Sequence, residues 1–201
     1  MTVRVVFATG NQHKLGEVQR ILTAAGADIE LLSLRLWPDA PIPVEDGESF
    51  AENALIKARA ISAHTGLPTM ADDSGICVDA LNGMPGIFSA RWSGEHGRDA
   101  ENLLLLLGQM SEVPDHRRGA RFVCAAALVT SAGVERVVEG MIEGVLTRTA
   151  EGTGGFGYDP VFRPHGYTVT TADLSPEEKD AISHRGAAFR ALAPVVAELL
   201  G

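Results

Sequence analysis

The chain opens on an apolar, β-branched run, Val3 to Ala8. The run breaks at Thr9-Gly10-Asn11-Gln12-His13-Lys14 and resumes as Leu15, Val18, Ile21, Leu22 and Ala25, with Gly26 as a stop. The first run fits a buried strand. The second has the 3.6-residue period of a helix with one apolar face. A strand that leads through six residues into such a helix has to lay that helix on a sheet, which commits the chain to a layered α/β fold.

The rest of the sequence extends this frame. Ile29 to Leu34 reads as a second strand. Residues 35–48 carry Pro38, Pro41 and Pro43 and end in Glu45-Asp46-Gly47-Glu48, a loop. Ser49 to Glu52 fits a capping box, and a helix should run from there to about His64. Leu67 to Ala71 reads as a short strand delivering Asp72-Asp73-Ser74-Gly75, with Ile76 to Leu81 continuing extended. Residues 82–98 look irregular, and Asp99 to Met110 helical. Arg121–Thr130 and Val134–Ile142 form two strands around Ser131-Ala132-Gly133, a hairpin signal. Ser175-Pro176 starts a helix with proline at its first position, and a final helix covers about Ser183 to Leu200. The expected fold class is therefore α/β, with a partly antiparallel sheet.

Composition limits what such a fold can serve. The 201 residues suffice for one good core or for two lobes. A net charge of −9 argues against a binder of DNA or RNA polymers or of anionic membranes, which need a basic footprint. It leaves room for a small anionic ligand held in a local cationic pocket or through a metal. Cys77 and Cys124 lie in apolar strand-like runs and read as buried reduced thiols. No segment has the apolar length of a membrane span. The N-terminus lacks a signal-peptide layout, so a cytoplasmic location is expected.

Five segments carry chemistry. Thr9 to Lys14 leaves a strand and opens a helix, so free amides, a positive dipole end and Lys14 suit phosphate; the competing reading is an ordinary capped turn. Asp72 and Asp73 end an apolar run, where two carboxylates are costly to bury without a partner. Magnesium is a natural partner, and neighbouring strand residues should face opposite ways, one to the ligand and one to structure. Glu45 could be a second metal ligand, and Asn53 and Lys57 are spaced to share a helix face. Gly152 to Pro160 combines four glycines with Phe156, Tyr158 and Asp159, a flexible backbone and an aromatic platform for a flat polar ligand such as a nucleobase. Ser183-His184-Arg185, preceded by Lys179, adds donors; basic residues on a surface helix are the alternative.

Taken in order, Thr9-Gly10-Asn11-x-x-Lys14, Phe50-x-Glu52-Asn53-Ala54-x-x-Lys57-Ala58, Ala71-Asp72-Asp73-Ser74-Gly75, Pro85-Gly86-x-x-Ser89-Ala90-Arg91, Gly152–Pro160 and Ser183-His184-Arg185 make the chain resemble the non-canonical purine nucleoside triphosphate pyrophosphatase family, the inosine/xanthosine triphosphate pyrophosphatases. The resemblance implies an elongated mixed β-sheet flanked by helices, two lobes around a nucleotide-binding cleft, a single catalytic domain and a homodimer. It implies Mg²⁺-dependent hydrolysis of ITP, dITP and XTP to the monophosphate and pyrophosphate, which clears the nucleotide pool before these bases enter DNA or RNA. By the same resemblance Glu45 and Asp73 hold the metal, and Asp73 and Lys14 are catalytic. Thr9, Gly10, Asn11, Gln12, His13, Lys14, Lys57, Ser74, Phe156, Gly157, Tyr158, Asp159, Lys179, His184 and Arg185 would bind substrate. Lys179, His184 and Arg185 are expected to donate to the C6 oxygen that distinguishes hypoxanthine and xanthine from adenine.

Overall fold

A computed structural model describes residues 2–201. Six strands form one mixed sheet: β1 (Val3–Phe7), β2 (Ile29–Ser33), β3 (Thr69–Val78), β4 (Gly119–Val129), β5 (Glu135–Leu146) and β6 (Phe162–Pro164), in the order β2-β1-β3-β4-β5-β6. β1 runs parallel to β2, pairing Val3 with Ile29, and parallel to β3, pairing Val6 with Thr69; β5 and β6 are antiparallel. Five α-helices accompany the sheet: α1 (Gln12–Ala24), α2 (Phe50–Thr65), α3 (Asp99–Gln109), α4 (Pro176–Ile182) and α5 (His184–Leu200). The expected α/β class and mixed sheet are borne out.

The chain divides into two compact units. The first comprises the chain up to Asp73, Cys124–Gly140 and His184–Gly201; the second comprises Ser74–Val123 and Met141–Ser183. In the first unit the strands alternate strictly. Val5, Phe7, Met70, Cys124, Ala126 and Leu128 pack with α1 and α5 through Val18, Ile21, Leu22, Phe189, Leu192 and Val196. Val6, Ala8, Ala71, Ala125, Ala127 and Val129 pack on the other face with Ala54, Ala58 and Ile61 of α2. The period of two in a strand buried on both faces gives two cores from one sheet. Burial of the Cys124 thiol pushes it up and keeps it inert, and both cysteines are free and buried.

The second unit has its own core, built on Ile76, Val78, Leu106, Met110, Phe122, Tyr158, Val161 and Phe162. Buried Arg118 closes the C-terminus of α3 by donating to the Met110 carbonyl at 2.6 Å, and also donates to the carbonyls of Leu146 and Thr147 at 2.9 and 2.8 Å. A cation at a helix C-terminus satisfies carbonyls the helix leaves open. Residues 86–91 of the irregular segment form a 3₁₀ helix.

Two helix starts differ from each other in an instructive way. Ser175 and Glu178 complete the reciprocal capping box of α4. Ser49 caps Glu52 at the start of α2, but the Glu52 carboxylate accepts from the Glu48 amide instead of the Ser49 amide. Only half of that expected box forms, because the glutamate serves the acidic loop before the helix. No helix among the described residues is long and apolar enough to cross a membrane.

Candidate active site

β3 runs unbroken from Thr69 to Val78 where a strand ending at Ala71 was expected. It continues because each carboxylate meets cations on its own side. Asp72 follows Met70 onto the face of α1 and α5. Its Oδ2 accepts from Lys14 Nζ at 3.0 Å and from Arg185 Nε and Nη2 at 3.2 and 3.1 Å. Arg185 Nη1 donates at 3.0 Å to Glu17 Oε2. Burial pushes the Asp72 carboxyl up, but Lys14 and Arg185 pull it further down, well below the usual carboxylate range. Burial likewise opposes the Arg185 charge, and Asp72 and Glu17 outweigh it.

Asp73 follows Ala71 onto the α2 face. Its Oδ1 accepts from Lys57 Nζ at 3.0 Å and its Oδ2 from Asn53 Nδ2 at 3.3 Å. Lys57 Nζ also lies 3.3 Å from Glu45 Oε1. Asn53 turns its Oδ1 to the Gly47 amide at 2.9 Å, which fastens the acidic loop to the start of α2. Gly47 has no room for a side chain there: a Cβ would meet Glu52 Cβ at 2.7 Å and Asn53 Oδ1 at 2.8 Å. Burial pushes the Asp73 carboxyl up, against the pull of Lys57 and with help from Glu45. Lys57 loses to burial but gains more from Asp73, Asp72 and Glu45, and is held charged.

This cluster fits a divalent cation. Two hard carboxylates, Glu45 and Asp73, converge on Lys57, and at Asp73 burial outweighs the pull of that lysine. Among the described residues no three His, Cys, Asp or Glu side chains form a metal cage. A small donor set leaves places for waters and phosphate oxygens in the shell of such a cation.

At the mouth of α1, Asn11 is the N-cap. Its Oδ1 accepts from the His13 and Lys14 amides at 2.9 and 3.3 Å, and Thr9 Oγ1 accepts from the Asn11 amide at 3.1 Å. Thr9 and Asn11 thus shape the turn. Gly10, Gln12 and His13 are exposed on it.

In the second unit the glycine-rich loop takes positive φ at Gly152, Gly155 and Gly157. Its anchor is Asp159, which is buried. Asp159 accepts from the Phe156 amide at 2.8 Å and from Thr171 Oγ1 at 2.9 Å, and pairs with Lys179 from α4. Lys179 Nζ also sits over the Phe156 ring, 4.9 Å from its centroid. Ser74 lies half-buried on β3 directly after Asp73.

Tyr158 and Arg185, both expected at the site, are buried. The Tyr158 side chain is in the core and its hydroxyl donates to the Ser89 carbonyl at 2.9 Å, because a buried phenol needs an acceptor. Arg185 is 1% exposed and ion-paired with Asp72 and Glu17, instead of presenting its guanidinium at a surface.

A family model described as the Ham1 family matches residues 5–195. The chain belongs to the Ham1 family. The resemblance carried by its six motifs is thereby borne out. Among its Ham1 relatives, a dITP/XTP pyrophosphatase of Streptomyces coelicolor is 57% identical over 198 residues, covering 98% of this chain and 99% of the relative. One from Streptomyces avermitilis is 58% identical over 198 residues, with the same coverage. The solved HAM1 protein of Coxiella burnetii superposes with a TM-score of 0.86 at 39% identity, covering 98% of this chain and 99% of that one. The nucleoside-triphosphatase / dITP/XTP pyrophosphatase of Mycobacterium abscessus gives 0.76 at 54% identity, covering 96% and 99%.

Sequence reasoning missed one member of this Ham1 site, Glu17. Its signal was present: it lies on α1 beside Val18, three residues after Lys14, and a carboxylate buried at 4% exposure requires a cation. That cation, Arg185, lies 168 residues away, too far for any local pattern.

Proposed function

We propose that this chain hydrolyses ITP, dITP and XTP to the monophosphate and pyrophosphate and so keeps deaminated purines out of nucleic acids. The observation that carries the reading is the convergence of Glu45, Asp73 and Lys57, in a chain whose full-length relatives are named dITP/XTP pyrophosphatases. Glu45 and Asp73 would hold Mg²⁺, which would supply positive charge to the phosphate when bound. Lys57 and Lys14 add to it, and the exposed turn at Gly10, Gln12 and His13 presents a helix N-terminus to phosphate. Asp73 takes the proton of the attacking water. The water oxygen bonds to the α-phosphorus, the P–O bond to the β-phosphate bridge breaks, and pyrophosphate leaves. A carboxyl pushed up by burial is a better base than an ordinary one.

The base is assigned to the loop of the second unit, with Phe156 as stacking face and Gly157 as close-approach backbone. Lys179 and His184 are the donors for the C6 oxygen. Asp159 orients Lys179 and Phe156, and Tyr158 holds the loop by its hydroxyl. Arg185 acts one step back, setting Asp72 and through it Lys14. The two units work as one catalytic domain, in a cytoplasmic homodimer whose substrate is the free nucleotide, with no nucleic-acid polymer or membrane as partner.

A pyrophosphate-release assay with ITP, XTP, GTP, ATP and dTTP, with and without Mg²⁺, tests the reading. Asp73→Asn should lower kcat on ITP by about 10²-fold or more while the fold persists by circular dichroism. Full turnover by that variant, or equal rates on ITP and ATP by the native chain, sinks the proposal.

A further inference from the structure

Two neighbouring amides of the glycine-rich loop end on carboxylates from different parts of the chain. The Phe156 amide donates to Asp159, inside the loop. The Gly157 amide donates at 3.2 Å to Oδ2 of Asp99, 58 residues earlier. Asp99 is the first residue of α3, is exposed, and takes no part in the core. Gly157 has φ +60°, and no atom lies within 4 Å of where its Cβ would be, so packing does not hold it. Phe156 is fastened from within by Asp159 and Tyr158 from the core by Ser89. The peptide between them is oriented from outside the loop by Asp99.

We propose that Asp99 is a positioning residue for the purine: by holding the Gly157 amide it fixes the Phe156–Gly157 peptide plane, and with it the direction in which the Phe156 ring faces. This rests on the reading that Phe156 stacks on the base. A carboxylate accepting from a backbone amide makes a short-range, charge-assisted restraint, stronger than a neutral hydrogen bond. A loop with three glycines at positive φ has much conformational freedom to lose on binding, so pre-ordering it favours the bound form. The base is held alike in ground and transition states, so loss of the restraint should appear in KM and leave kcat alone.

The experiment compares four variants of the full chain on ITP. Asp99→Ala should raise KM about five- to tenfold with kcat within about twofold. Asp99→Asn keeps an acceptor oxygen and should recover most of the native KM. Glu101→Ala removes an equal charge from the same first turn of α3 without touching the loop, and should leave KM unmoved. Hydrogen exchange of residues 153–158 in the free protein should speed up in Asp99→Ala and not in Glu101→Ala. Equal KM in Asp99→Ala and Glu101→Ala, or a fall in kcat with KM unchanged, overturns the proposal. Phe156→Ala separates the two levels. A raised KM there with a native KM in Asp99→Ala removes Asp99 alone. A native KM in Phe156→Ala removes the loop as the base site, and the role of Asp99 with it.

Discussion

At the scale of single residues, the site depends on two adjacent aspartates in opposite electrostatic conditions. At Asp72 the pull of Lys14 and Arg185 outweighs burial, and at Asp73 burial outweighs the pull of Lys57. The first is therefore a structural anchor, and the second is the one left for the proposed chemistry. Removing Arg185 leaves Asp72 to Lys14 and strands the buried Glu17 carboxylate. Arg185→Ala should cost about 3–5 kcal/mol in urea unfolding, since breaking a buried ion pair leaves an uncompensated charge. Arg185→Ala combined with Asp72→Asn should recover part of that loss, and a fully additive double variant contradicts the coupling. Asp73, Lys57 and Glu45 were legible in the sequence because motif order and i, i+4 spacing are local signals. The partners of Arg185 were not, because ion pairs across 113 and 168 residues leave no local trace. The core position of Tyr158 was hidden for the same reason: its acceptor, Ser89, is 69 residues away.

At the scale of elements, hydrophobic patterning together with cap and turn signals located the five described α-helices and four of the six described strands to within a few residues. The short β6 (Phe162–Pro164) has too few residues to show any period. The strand boundary expected at Ala71 failed for an instructive reason. Charged residues usually end a buried strand, yet here cations from α1, α2 and α5 satisfy them and the ladder continues to Val78. Packing of α5 on β5 depends on one missing side chain. A Cβ on Gly140 would run into the His184 carbonyl oxygen and the Ala188 amide nitrogen. Both are backbone atoms that cannot rotate away. Gly140→Ala should thus lower stability by about 1–3 kcal/mol through overpacking, read as a lower urea midpoint at unchanged slope. An unchanged midpoint would show that α5 shifts freely.

At the scale of the whole molecule, the same two aspartates shape stability against pH in opposite directions. The folded Asp72 carboxyl titrates below its unfolded value near ~3.9. Its contribution is complete above that value and is lost only as pH falls through the depressed folded one. The difference in Tm between the native chain and Asp72→Asn should therefore stay constant from pH 7 to about pH 5 and narrow only in stronger acid. A difference that closes between pH 7 and pH 5 contradicts the ion-pair assignment. Asp73 is raised in the folded state, so its ionised form costs stability once pH exceeds that raised value. Asp73→Asn should accordingly lose turnover without losing Tm at neutral pH.

The unbroken course of β3 has a consequence for how such a chain tolerates insertions and deletions. Neighbouring residues of a strand point to opposite faces, and here both neighbours are aspartates. Deleting one residue between Thr69 and Ala71 while the upstream pairing holds would slide every later residue of the strand back by one place. Asp73 would stand where Asp72 stood, among Lys14 and Arg185, and Ser74 would stand before Lys57 and Asn53. The ion-paired face would look native while the reactive face carried a hydroxyl. The same slide would bring Ile76 to the place of Gly75, where a Cβ runs into the Gly86 carbonyl and Ser89, and Asp79 to the buried place of Val78, so a frame error in this strand would cost the second unit its core as well as altering the site.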